Sequence, residues 1–239
     1  MMCGPPPLSV VIFDVDGTLA DTERDGHRPA FNDAFAVHGI DMMWDPEQYG
    51  RLLQTTGGRR RIAAELHRVG YVEAEDLAAE IHDTKTALFR ERILAGEVLP
   101  RTGLRDFIAS LAGTGIRIAV ATTGRRAWVD PLVGQLIGHA VADAVLTGDD
   151  VDSLKPDPEV YLKTLDRLGV SPEQALAVED SSIGLRAAAA AGIATVVITN
   201  DYTRGQDFTA AAAVRTEYGG PEPLTAATCQ LIHQRWWAR

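Results

Sequence analysis

Cysteine is nearly missing from this chain: Cys3 and Cys229 are the only two in 239 residues, and they stand near its opposite ends. So sparse a set excludes a disulfide framework and a cysteine-based metal centre, and it suits a reducing compartment. The expected location is cytoplasmic. A basic excess is missing too, since 23 Lys and Arg face 33 Asp and Glu, a formal net charge of -10. That balance argues against nucleic acid or an anionic membrane surface as a partner, although a local basic cluster can still meet a small anion. Long apolar runs are also lacking. Val10 to Phe13 is far too short to span a bilayer, and the opening MMCGPPP has no basic segment of the secretory kind. Residues 1 to 7 read as a loose leader. The expected partners are small molecules, with no nucleic acid and no membrane, and the expected state is a monomer.

What the chain does have is 46% hydrophobic residues, enough for a sizeable core. Short apolar runs, each ending in polar residues, occur at 9 to 13, 116 to 122, 143 to 148, 175 to 180 and 194 to 199. Helical spacing separates them, as in Leu104, Phe107, Ile108, Leu111 and in Val160, Tyr161, Leu165, Leu168. Five such runs alternating with helices predict a parallel sheet covered on both faces. Asp157 with Pro158, and Ser171 with Pro172, read as N-caps followed by first helical residues. A last helix is expected over about 224 to 237, packing Leu231 and a Trp on the core.

The stretch from about Arg24 to Leu99 differs. It has no convincing strand, and three helical patterns run through it: Phe31, Ala34, Phe35; then Ile62, Leu66, Val69; then Leu77, Ile81, Leu88. Because it follows the first strand, it is expected to leave the sheet at that strand's C-terminal end and return there, over the crevice where open α/β sheets bind ligands. The predicted fold is thus α/β, a Rossmann-like parallel-sheet core (1–23 and 100–239) with an inserted α-helical cap domain (24–99).

Three of the predicted strands end in reactive groups: Asp14 and Asp16 after the first, Thr122 after the second, Glu179 and Asp180 after ALAV. Parallel strands bring these ends to one edge. A lone carboxylate at a strand end is ordinarily a solvated loop residue or a helix cap, but carboxylates gathered on one edge repel unless a cation sits among them. An all-oxygen set with room for water suits Mg²⁺. Lys155 in SLKPDP can add a fixed positive charge. A carboxylate, a hard cation, a hydroxyl and a lysine are the parts that phosphoryl transfer requires. Asp14 would attack phosphorus to give an aspartyl-phosphate. Asp16 would protonate the leaving oxygen and later activate water.

On DVDGT (14 to 18), VATT (120 to 123), Lys155 in KPDP and VEDS (178 to 181), all in order, the chain resembles the Mg²⁺-dependent phosphatases of the haloacid dehalogenase superfamily. The resemblance implies that Asp14 is nucleophile and metal ligand, and that Asp16 is acid/base and ligates through its backbone carbonyl. It further implies that Thr122 and Lys155 hold the phosphoryl group, and that Asp180 completes the metal shell with Glu179 assisting. Within the insertion, TERDGHRPAFNDAF (22 to 35), WDPEQYGRLL (44 to 53), TGGRRRI (56 to 62) and HDTKTALF (82 to 89) resemble the CbbY-type phosphatases, which act on xylulose 1,5-bisphosphate, an inhibitory by-product in Calvin-cycle organisms. That narrower resemblance implies a phosphorylated sugar as partner, contacted by Glu23, Gly57, Gly58, Arg59, Arg61, His82, Lys85, Thr122 and Thr123, with His27 a further candidate. Two stretches depart from the pattern, TTGRRAW (122 to 128) and GGRRRI (57 to 62), and they leave open which of Arg59, Arg60, Arg61, Arg125 and Arg126 meets a second phosphate. The same core motifs also serve β-phosphoglucomutase-like and phosphoglycolate-cleaving enzymes, and a non-catalytic sugar-phosphate sensor is the reading from another class.

Overall fold

The computed structural model describes residues 6–55 and 57–239. The leader reading lies outside the described residues over its first five positions, Cys3 included, as does Thr56. Contacts divide the chain into two compact units, Met1–Asp21 with Leu99–Arg239, and Thr22–Val98.

Strand β1 (Val10–Phe13) opens the first unit, and the chain then builds the second. That unit begins with a π-helical turn at Glu23–His27, followed by α1 (Arg28–Val37), α2 (Pro46–Leu52), α3 (Gly58–Arg68) and α4 (Ala74–Leu94). Helix α2 was not anticipated: at seven residues it is too short to display a period, and it is started instead by Asp45, whose carboxylate accepts the Gln48 N–H at 2.7 Å, and by Pro46. The apolar centre is aromatic. Trp44 packs on Phe31 and Phe35 with ring centroids 5.0 and 4.8 Å away, and all three are fully buried. Two expected core positions are displaced. Val69 is exposed, and the inner face of α4 runs through Ala78, Ile81, Lys85, Phe89 and Ile93, leaving Leu77 and Leu88 half-buried.

The first unit continues with α5 (Leu104–Ala112), β2 (Arg117–Ala121), α6 (Arg126–Ile137), β3 (Ala144–Leu146), α7 (Glu159–Leu168), β4 (Ala175–Glu179), α8 (Ser182–Ala190), β5 (Ala194–Ile198), β6 (Ala213–Arg215) and α9 (Ala226–Trp237). The six strands form one parallel sheet in the order β3-β2-β1-β4-β5-β6. Every residue of β1 is fully buried, as a strand covered on both faces must be. On one face Val10 and Ile12 join Tyr161 and Leu165 of α7 and Ala187 and Ala188 of α8. On the other, the Phe13 ring meets Phe107 of α5, which stacks on Tyr218. β6 escaped the sequence pattern because it is a three-residue edge strand without a fully buried side chain. Two end effects differ from expectation. Helix α7 starts at Glu159 with Pro158 outside it, although the Asp157 carboxylate still accepts the Glu159 N–H. On α9 the inward stripe is Ala226, Cys229 and His233, while Leu231 is 51% exposed, so Leu231 packs no core.

Candidate active site

Register places the reactive residues. β1 lies between β2 and β4, with Phe13 opposite both Val120 and Val178, so Asp14, Thr122, Glu179 and Asp180 all leave the sheet at its carboxyl edge. This is also where the strand order changes direction, the position at which open α/β sheets bind ligands.

Lys155 ties this edge together. Its ammonium donates to Asp14 Oδ1 at 2.7 Å, to Glu179 Oε1 at 2.6 Å and to the Ala121 carbonyl at 2.8 Å. Burial lowers the lysine's pKa, but Asp14 and Glu179 outweigh burial and raise it. The loop that delivers it is pinned by Glu159, whose carboxylate takes the Asp152 and Ser153 N–H groups and is held at a pKa of about 2 by Lys163 and those backbone bonds. Below Lys155, the Tyr161 hydroxyl donates to Glu179 Oε1 at 2.5 Å, and the ammonium lies 4.9 Å from the Tyr161 ring centre. Thr122 is almost completely buried, and its Oγ1 accepts the Gly124 N–H at 3.1 Å.

Asp14, Glu179 and Asp180 offer buried carboxylate oxygens that all lie within 4.8 Å of one another. Burial raises all three pKa values. Asp14 is partly relieved by Lys155 and burdened by Asp16; Glu179 reaches about 7; Asp180 is driven well above the carboxylate range, with Asp14 and Glu179 adding to the burial and Asn200 opposing it. Three buried acids around one ammonium are short of positive charge. Their donor set is all oxygen, which fits a hard divalent cation such as Mg²⁺. Each acid has one oxygen engaged, Glu179 Oε1 by Lys155 and Tyr161, Asp14 Oδ1 by Lys155 and Asp180 Oδ2 by Asn200. Gly17 and Gly184 allow this crowding: a side chain at Gly17 would strike the Asp180 carboxylate, and one at Gly184 that of Glu179.

The helical unit holds a cluster of opposite sign. Arg61 and Lys85 are buried, at 8% and 7% exposure. The Phe31 ring lies against both, with Lys85 Nζ at 4.7 Å and the Arg61 guanidinium carbon at 5.6 Å from its centre, and Arg61 also covers Tyr49. Lys85 Nζ donates to His27 Nδ1 at 2.7 Å, which requires a neutral imidazole; burial and then Lys85 hold the His27 pKa well below 6.5. His82 is lowered by the same two causes in that order. Glu23 accepts the Tyr49 O–H at 2.5 Å. Arg61 Nε is buried without a hydrogen-bond partner among the described residues. Gly58 starts α3 where a side chain would press on Phe31 and His82.

The model of the haloacid dehalogenase-like hydrolase family matches residues 8–192. Protein CbbY of Rhodobacter capsulatus is 42% identical over 228 residues, covering 94% of this chain and 97% of its own length. A CbbY crystal structure from Rhodobacter sphaeroides in complex with phosphate matches with a TM-score of 0.75 and 40% identity, over 88% of this chain and 94% of that one. Another from the same organism, in complex with xylulose-(1,5)bisphosphate, matches with a TM-score of 0.78 and 40% identity, over 91% of this chain and 99% of that one. The chain belongs to the haloacid dehalogenase-like hydrolases, as a phosphatase of the CbbY type.

In this hydrolase, Asp14, Thr122, Lys155, Glu179 and Asp180 share the sheet edge, whereas Asp16 is not among the three converging carboxylates. Thr123 beside them is half-buried. Glu23, Gly58, Arg61, His82 and Lys85 cluster in the helical unit with His27. Gly57 and Arg59 are exposed, and Arg59 reaches the Glu75 carbonyl at 3.4 Å. Arg60 is exposed as well. Arg125 and Arg126 are engaged elsewhere, by Asp149 at 2.6 Å and by Asp150 and Asp130. Sequence reasoning gave no site role to Tyr161, Asn200 or Arg101. Tyr161 carried a signal, since a tyrosine on a buried helical face needs a partner for its hydroxyl; the other two act through backbone carbonyls and one carboxylate that no spacing reveals. Among the described residues, no helix is long and apolar enough to cross a membrane.

Proposed function

We propose that this hydrolase is a Mg²⁺-dependent sugar-bisphosphate phosphatase that works through an aspartyl-phosphate on Asp14, with xylulose 1,5-bisphosphate as its substrate. The observation that carries the chemistry is the meeting of Asp14 and Asp180 within 4.8 Å beside the protonated Lys155. An Asp14 oxygen attacks phosphorus as the bond to the sugar oxygen breaks, and Asp16 gives that oxygen its proton. Asp16 then takes a proton from water, whose oxygen attacks the same phosphorus, and the bond to Asp14 breaks to release phosphate. Thr122 and Lys155 hold the phosphoryl oxygens, with Glu179 and Tyr161 keeping the ammonium aimed. Mg²⁺ held by Asp14, Asp180 and the Asp16 carbonyl would neutralise charge gathering on the phosphoryl group.

The choice of a bisphosphate is supported by the helical unit, where buried Arg61 and Lys85 are positive groups suited to a second phosphate, and by the ligand of the CbbY relative. The experiment is phosphate release from a panel of sugar mono- and bisphosphates with Mg²⁺. Xylulose 1,5-bisphosphate is expected to exceed monophosphates by roughly 10²-fold or more in kcat/KM. Equal rates across the panel would refute the second anchor; return of the phosphoryl group to sugar would make the protein a mutase.

A further inference from the structure

The Arg101 guanidinium is 7% exposed and collects four backbone carbonyls from three separate segments of the sheet unit. One arm donates to Gly17 O at 2.6 Å and Ile198 O at 2.8 Å; the other donates to Thr199 O at 2.7 Å and Thr216 O at 2.9 Å. Its Nε faces Asp21 at 3.7 Å, and its own N–H donates to Leu19 O. A buried cation satisfied chiefly by carbonyls is a costly way to staple loops, so its location matters. Gly17 follows Asp16 and, at φ +75°, lies against the Asp180 carboxylate, with no room for a side chain. The Ile198–Thr199 end of β5 leads directly into Asn200, whose Nδ2 donates to Asp180 Oδ2 at 2.7 Å while its Oδ1 accepts the Tyr202 N–H. That second bond fixes which end of the amide faces Asp180.

We propose that Arg101 is a positioning residue for the divalent cation: it clamps the Gly17 peptide to the end of β5, so that the Asp16 carbonyl and the Asn200-oriented Asp180 carboxylate hold one fixed separation. This rests on the Mg²⁺ site proposed above. Partners behind the ligands of a metal ordinarily change its affinity by about 10- to 100-fold when removed.

The test is calorimetric titration of the whole protein with Mg²⁺ alone, for wild type, Arg101→Gln, Arg101→Lys and Asn200→Ala. Arg101→Gln and Asn200→Ala are each expected to weaken Mg²⁺ by about 10-fold or more, and Arg101→Lys by less, because an ammonium keeps the charge but not the two-armed span. In activity assays the Mg²⁺ concentration for half-maximal rate should rise in parallel, with the KM for sugar phosphate at saturating Mg²⁺ within about 3-fold of wild type. A wild type that binds no Mg²⁺ would overturn the metal reading and this inference with it. A wild type that binds Mg²⁺, with unchanged affinity in Arg101→Gln, would overturn the inference alone. Should Arg101→Gln fail to fold, unchanged affinity in both Arg101→Lys and Asn200→Ala would overturn it equally.

Discussion

The two units bury opposite charge excesses. At the sheet edge, three carboxylates crowd one ammonium; in the helical unit, Arg61 and Lys85 are buried near the half-buried Glu23, whose oxygen takes the Tyr49 O–H, while the buried Glu65 is paired with Arg68. Unbalanced buried charge is expensive, and a fold retains it where a ligand completes the balance. On the proposed function, a cation completes the balance at the sheet edge and the substrate's second phosphate does so among the helices. Even the neutral groups follow this division. Asn200 and Tyr161 donate to acids in one unit, while His27 stays uncharged to accept from Lys85 in the other.

The contrast can be broken in order of severity. Asp14→Asn is expected to cut kcat on the order of 10⁵-fold while leaving the fold intact, because the proposed mechanism routes the phosphoryl group through its carboxylate; phosphate release and circular dichroism check both halves. Lys155→Met should lower kcat by about 10³-fold and, without Mg²⁺, destabilise by about 3–5 kcal/mol, since it leaves buried Asp14 and Glu179 unpaired; denaturant unfolding with and without Mg²⁺ reads this. Lys85→Met should act on the other unit alone, raising the KM for a bisphosphate about 10- to 100-fold with monophosphate turnover nearly unchanged. An equal loss on both substrates would dissolve the division of labour.

The smallest effect is in pH. His27 and His82 have pKa values lowered from 6.5 in the folded state, by burial first and Lys85 second, so the unfolded chain binds more protons below that point. Their contribution to stability is fully present above pH 6.5 and fades as pH falls below it, by at most about 1.4 kcal/mol per pH unit for the buried His27. Urea unfolding at pH 7.5 and 5.5 should show the loss, and His27→Asn should reduce it. Because Glu179, raised to about 7, shifts stability the opposite way over this range, the comparison between the two proteins carries the test: an equal pH dependence in wild type and His27→Asn would contradict the neutral His27.

Much of this was legible in the sequence where a residue's role follows from where a strand ends. Asp14, Thr122, Glu179 and Asp180 each follow a continuous apolar run, and parallel pairing brings such ends together without further information. Lys155 was legible only through its motif, for it meets Asp14 across a separation of 141 residues. Tyr161 looked like one more apolar tooth of α7, because its ring does pack in the core and only its hydroxyl reaches the site. Arg101 and Asn200 were illegible because their partners are carbonyls and one carboxylate that only the closed sheet unit assembles. On α9 the leucine misled: Cys229 and His233 fill the inward stripe, with His233 Nε2 bonding the Glu173 carbonyl, and Leu231 faces outward.

The most direct measurement is a crystal structure grown with Mg²⁺ and beryllium fluoride, which mimics a phosphoryl group on a carboxylate. The expected result is beryllium bonded to an Asp14 oxygen, Lys155 and Thr122 at the fluorines, and Mg²⁺ between Asp14 and Asp180. Beryllium on any other side chain, or Mg²⁺ away from those two aspartates, would contradict it.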